Sequence, residues 1–281
     1  MISKSGGFVL AAVLLPWVAQ SQPLDRENWA VELRYAHSLE VSGSTRVREF
    51  DIRGDHLDLE DDLGVEQWNT YEIEIARRLK SGDRIRISSF YSEFKGSALV
   101  DEPIDYNGAT YAADQTLSIE PTTFWRMMLL YEYSLSRPNE RSGLYALLGL
   151  YSDNLHVMID GELAPDTASD EKGEDFGRQK FIWPTLGMGG RSRLGESLEL
   201  WGEFFGWHYA GTDTFYGEGG EIHATQSAFD AVAGARLLGV LLRPALAYRY
   251  RYFYQATTST EDYNEALFRG HFLELSLQAR F

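Results

Sequence analysis

The chain has 281 residues, no cysteine and a formal net charge of −16. Without thiols it can form no disulfide, thiolate nucleophile, zinc–cysteine site or lipid-anchored N-terminal cysteine, and its acidic balance argues against nucleic acid, which needs a basic face. Aromatic residues make up 14% of the chain, yet mean hydropathy is −0.31; that is too polar for a helical membrane protein but suits strands in which every second residue is polar.

Residues 1–21 read as a secretory signal peptide. Lys4 gives the positive start, Phe8 to Ala19 is an apolar run, and Ala19-Gln20-Ser21 places small residues for cleavage before Gln22. The run is shorter than the roughly 20 apolar residues of a spanning helix, although an uncleaved anchor helix remains the alternative. Later apolar stretches contain Arg126 and Arg243, and a charge at the centre of a spanning helix costs about 3 kcal/mol.

Residues 22–281 form one domain in which polarity alternates with period two. Ten segments carry the pattern: 28–38, 68–80, 83–95, 116–135, 141–159, 179–193, 197–210, 225–237, 241–255 and 265–281. Long connections at 39–67, 96–115, 160–178 and 211–224 alternate with short ones at Lys80–Asp83, Arg137–Arg141, Leu194–Glu196 and Leu238–Val240, and 256–264 joins the last two segments. Apolar faces such as Trp29, Val31, Leu33 and Tyr35 oppose polar ones such as Glu32 and Arg34. The expected fold is all-β: a transmembrane antiparallel up-and-down barrel of about ten strands, or twelve if 43–59 contributes a pair.

The last segment, His271-Phe272-Leu273-Glu274-Leu275-Ser276-Leu277-Gln278-Ala279-Arg280-Phe281, ends on Phe after alternating apolar residues. It resembles the terminal strand of bacterial outer-membrane β-barrel proteins. That resemblance implies a bacterial outer-membrane location, recognition by the barrel-assembly machinery, and contact with membrane lipid and lipopolysaccharide. Both chain ends and the short turns would then face the periplasm and the long loops the exterior.

On this parity a charged set faces the lumen: Glu32, Arg34, Glu72, Glu74, Arg84, Arg86, Glu120, Arg126, Glu132, Glu199, Glu203, Arg243, Arg249, Arg251, Glu274 and Arg280, with Arg78, Arg191, Asp230 and Arg236 beside them. Arginine's planar fork suits confined carboxylates, so the set reads either as an ion-pair filling or as the lining of a small polar pore. Trp201, Phe205, Trp207 and Tyr209 share the inward face of the seventh strand if Glu199 and Glu203 point in.

The acidic excess lies in the long loops, at Glu60-Asp61-Asp62, at Asp101, Glu102, Asp105 and Asp114, and at Asp166, Asp170, Glu171, Glu174 and Asp175. Such clusters are solvated faces or sites for divalent cations. His37, His56, His156, His208, His223 and His271 fall toward the outer rim, with His37 and His271 expected to meet across the seam. Asp153/His156 and Glu221/His223 are the local pairs of catalytic type, and no motif assigns a catalytic residue, metal or cofactor. The expected function is a structural or narrow channel protein for small polar solutes. The alternatives are a rim-active hydrolase and a surface-binding protein acting through its acidic loops.

Overall fold

The computed structural model describes residues 28–49, 54–107, 109–119, 122–136, 142–164, 182–213, 222–259 and 262–281. The expected signal peptide, Glu120 and the acidic residues 166–175 lie outside them. In chain order the strands are β1 (Trp29–Glu49), β2 (Leu57–Asp58), β3 (Val65–Arg78), β4 (Arg84–Val100), β5 (Ile104–Tyr106), β6 (Ala109–Tyr111), β7 (Gln115–Ser118), β8 (Thr123–Ser134), β9 (Ser142–His156), β10 (Ile182–Leu194), β11 (Leu198–Asp213), β12 (Ile222–Leu237), β13 (Leu242–Thr258) and β14 (Asp262–Arg280).

Ten of them form a closed antiparallel wall in sequence order, and β14 returns to pair with β1. Closure removes both sheet edges. Trp29 and Phe281 seal the seam with two backbone hydrogen bonds of 2.9 and 3.0 Å. The other four strands are short: β2 pairs with β1, β7 with β4, and β5 with β6. The segment 43–59 therefore extends β1 to Glu49 and adds β2 beside it, without adding strands to the wall. The expected 116–135 strand is two, β7 and β8.

The outer face explains why the wall stays closed. Leu33, Ile75, Ile87, Leu129, Leu150, Phe204, Leu246 and Leu275 all point outward and stand exposed. A continuous apolar band of this kind suits hydrocarbon, and outer-membrane barrels carry one about 25 Å tall between aromatic girdles. Toward the loop end the band closes on Tyr35, Tyr71, Tyr91 and Trp125, direct neighbours across β1, β3, β4 and β8. The next outward row is polar: His37, Asn69, Glu93, Thr123 and His156.

Beyond this row the polarity of the wall inverts. On β14, Leu273 and Leu275 face out and Glu274 faces in within the band, but farther along Arg269 faces out while Phe268 and Ala266 are buried inside. On β1 the change coincides with a bulge between Ser38 and Glu40. After it Arg46 and Arg48 lie outside and Val41 and Val47 inside.

The described short turns sit at the end where Trp29 and Phe281 meet. In the β3–β4 turn Gly82 has φ 98°, a conformation glycine adopts without strain. The buried Asp83 side chain ties this turn to β8: it accepts from Ser81 Oγ (2.6 Å), Tyr131 OH (2.7 Å) and the Ser134 N–H (2.9 Å). The Ser81 hydroxyl, then the Ser134 N–H and the Tyr131 hydroxyl, hold its carboxyl below the ordinary value. A depressed pKa stabilises the fold above the unfolded value, and that contribution fades as pH falls through the folded one. Asp83→Asn should therefore lower resistance to urea at neutral pH, and the gap to the parent should close below about pH 4. Urea unfolding in lipid vesicles across pH measures it.

Candidate functional site

The interior has three layers. Within the apolar band lies a belt of arginine and carboxylate. Arg34 of β1 reaches Glu72 at 2.6 Å, Glu74 at 3.1 Å and Glu32 at 3.2 Å. Arg249 bridges Asp230 and Glu274, each at 2.6 Å, and Arg251 holds the other Asp230 oxygen at 2.8 Å. Glu132 takes Arg191 at 2.6 Å.

Further contacts cross the lumen between distant strands. Arg86 of β4 grips Glu203 of β11 through two nitrogens, at 2.8 and 3.1 Å, while its NH2 group also bonds Glu74 at 2.9 Å. Arg236 of β12 bonds Glu32 of β1 at 2.6 Å. Tyr145 donates to Glu203 at 2.7 Å, and Gln278 donates to Glu32 at 2.9 Å. The void left inside the belt is about 40 Å³, enough for a few waters. The interior is thus filled by ion pairs.

The second layer is aromatic. Trp68 stacks on Phe94 and meets Phe272 edge-on, both at 4.9 Å between centroids, and Phe253 packs against Phe124 at 4.8 Å. Arg126 is not a member of the belt. Its guanidinium sits among Phe90, Phe124, Tyr151 and Trp207 at 4.8–5.2 Å, a cation–π cage, and Asp153 lies opposite it on β9. Asp153 accepts from Gln226 at 2.7 Å.

The third layer is the loop cap. Leu57, Leu59, Leu63, Leu117, Ile119 and Val157 are buried in it. Tyr106 hangs from the β5–β6 hairpin to bond Thr45 at 3.1 Å, and burial pushes its phenol above the ordinary value, so it stays neutral.

Most of the sequence-derived charged set thus converges. Arg84, Arg243 and Arg280 lie apart from the belt, toward the terminal end. The inward parity of Trp201, Phe205 and Trp207 agrees with the sequence, and Tyr209 packs at a tilt against Trp183, 4.0 Å between ring centroids. The aromatic layer was not anticipated, although Phe90 and Phe94 share the parity of Arg86 and Ser88 and carried the signal.

The histidine expectations need correction. His37 sits opposite Leu273 and bonds Asn69 at 2.8 Å, while His271 sits opposite Glu40 and bonds Tyr248; the two do not pair. Asp153 points inward and His156 belongs to the outward polar row, so the wall separates them. Glu221 lies outside the described residues. His208 and Ser227 contact at 2.7 Å, but on the exposed outer face. Among the described residues no cluster of three or more His, Asp or Glu side chains is arranged to hold a metal.

No family model matches the chain, and no curated protein does. Solved structures do. The outer membrane protease OmpT from Escherichia coli aligns over 93% of this chain and 99% of its own, with a TM-score of 0.52 and 13% identity. Neisserial surface protein A aligns over 90% and 97% at a TM-score of 0.33 and 9% identity. A TodX monoaromatic hydrocarbon channel mutant aligns over 91% of both chains at a TM-score of 0.36 and 9% identity. The fold is that of bacterial outer-membrane β-barrels. At these identities the likeness concerns architecture alone.

The cross-lumen contact makes a direct prediction. Arg86→Met leaves Glu203 and Glu74 short of a buried partner and should cost about 3–5 kcal/mol, read as a lower urea midpoint in vesicles. The double change Arg86→Met with Glu203→Met should recover part of that loss, because it removes the stranded carboxylate.

Proposed function

We propose that the protein is a closed, non-conducting barrel of the bacterial outer membrane that works at its loop end. The chain ends would face the periplasm and the loops the exterior. The observation that carries the reading is the bidentate Arg86–Glu203 pair spanning the lumen, backed by the aromatic layer between it and the loop cap. A hydrated ion entering from either side would have to break buried pairs whose charges have nowhere else to go.

The working surface is acidic. Asp55, Glu60, Asp61, Asp101, Glu102, Asp114, Asp160 and Glu162 are exposed on it, and the described loop residues 54–64, 101–107, 109–119 and 157–164 contain no Lys or Arg. Such a field attracts cationic partners and repels anionic ones. Divalent cations bridging to lipopolysaccharide phosphates remain one form this attraction would take. The hydrolase alternative gains little, because Asp153 and His156 are held on opposite faces of the wall.

Planar bilayer recordings of refolded protein test the closed state. Folded protein should insert without discrete current steps. Reproducible steps that change when Arg249 and Arg251 are replaced would refute it and restore the polar channel.

A further inference from the structure

The lipid-facing wall is not evenly covered. Starting at His37 in the polar row, successive strand partners are Leu273, Tyr248, Ala233, Gly202, Gly190 and Leu144. Followed the other way, the same row passes Asn69, Glu93 and Thr123 to His156. It therefore meets β9 twice, at His156 at its loop end and at Leu144 near its start, so it descends across the apolar band. Between Tyr248 and Leu144 the row has almost no side chains. Ala233, Gly202 and Gly190 there form the floor of an outward-facing trough of about 480 Å³, walled on the loop side by Phe204 and Met188. Four strand steps of about 4.8 Å make it about 19 Å long. At a strand tilt of about 40° it falls about 12 Å, close to the roughly 15 Å of hydrocarbon in one leaflet.

The fold does not demand these glycines. Neither Gly190 nor Gly202 has a positive φ. A Cβ on Gly202 would meet nothing nearer than 3.5 Å, and one on Gly190 only the flexible tip of Leu144 at 3.0 Å. Glycine inside a strand weakens it, and often marks the close approach of another molecule.

The upper end of the trough is polar and carries a cation. Tyr248 and Tyr250 line it. The Tyr248 phenol hydrogen-bonds His271 Nδ1, and the Tyr250 ring lies 4.9 Å from the His271 ring. One outward step nearer the loops, the exposed Arg269 faces Tyr252 across the β13–β14 pair and sits 5.8 Å from its ring. Glu40, opposite His271 on β1, is the acid of this cluster. Tyrosine and arginine at this level suit the headgroup zone, with apolar rings below and polar groups above.

We propose that the trough holds one acyl chain of a membrane lipid whose phosphate is taken by Arg269 beside the Tyr248–His271 pair. Lipid tails are as apolar as the wall, so affinity comes from close packing along the chain and from the headgroup charge, and not from exclusion of water. The site lies outside the wall and depends neither on the closed lumen nor on what the loops bind.

Native mass spectrometry of refolded protein tests it, after release from detergent micelles containing equal phosphatidylglycerol and phosphatidylcholine. The parent should keep one lipid, with phosphatidylglycerol favoured about fivefold, the weight of one basic side chain at an anionic surface. Gly202→Leu/Ala233→Leu fills the trough and should cut lipid retention about tenfold. It should melt no lower than the parent, because both new side chains face hydrocarbon. If it does melt lower, Ala233→Phe replaces it, with the same loss expected. Arg269→Gln should keep the lipid and lose the preference for phosphatidylglycerol. Lipid retained at the parent level by a folded, filled-trough variant would overturn the proposal, as would a parent that keeps none. A dimer shown by the parent and lost on filling would give the trough to a second copy and overturn it too. An unchanged preference in Arg269→Gln would remove the phosphate contact from the account.

Discussion

Burying a carboxylate inside a barrel is tolerable only when a cation meets it at contact distance, and this lumen is organised around that requirement. Desolvating each charge costs several kcal/mol, which is offset only when geometry is good and the remaining lone pairs are satisfied. Arg34, Arg86 and Arg249 meet it by each engaging two or more acids from different strands. Because Arg86 and Glu203 come from opposite walls, on β4 and β11, the belt also sets the spacing of those walls. A ten-strand barrel is only slightly wider than one that side chains fill unaided, and long paired side chains close the difference.

The inversion of polarity along each strand has the same origin. Where the outer face is apolar, the interior must be the polar side, or the two faces would be indistinguishable to a bilayer. Above the polar row of His37, Asn69, Glu93, Thr123 and His156 the outer face is hydrophilic, and an ordinary apolar core becomes the better filling. Trp68, Phe94, Phe268 and Phe272 supply it. The protein is thus a membrane barrel at one end and a small globular core at the other, built from the same continuous strands. Arg126, caged by aromatic rings rather than bound in the belt, marks the junction.

Alternation made the wall legible from sequence, along with the strand count and the membership of the belt. Glu32, Arg34, Glu72, Glu74, Arg86, Glu132, Glu203, Arg249, Arg251 and Glu274 all follow from parity alone. Parity failed where the backbone slips or the environment changes. The bulge at Ser38/Glu40 shifts the phase of β1 by one residue, so the strand seemed to stop at Ser38 when it continues to Glu49. Parity is weak in β9, because its inward Leu147, Tyr151 and Leu155 face the apolar side of the interior, making both faces of the strand hydrophobic. His37 and His271 seemed destined to meet, but the seam register already sets His37 opposite Leu273 ahead of the bulge.

The central claim is that the lumen is filled at the level of the membrane band, and a single thiol can report on it because the chain has no cysteine of its own. Ser88 faces inward between the belt and the aromatic layer and is 4% exposed. Ser88→Cys, refolded in lipid vesicles, should resist a charged water-soluble maleimide applied from either side and react fully once unfolded in urea. Labelling of the folded protein at the rate seen for the unfolded chain would mean that water runs freely through the barrel, and the account of a paired, closed interior would fail.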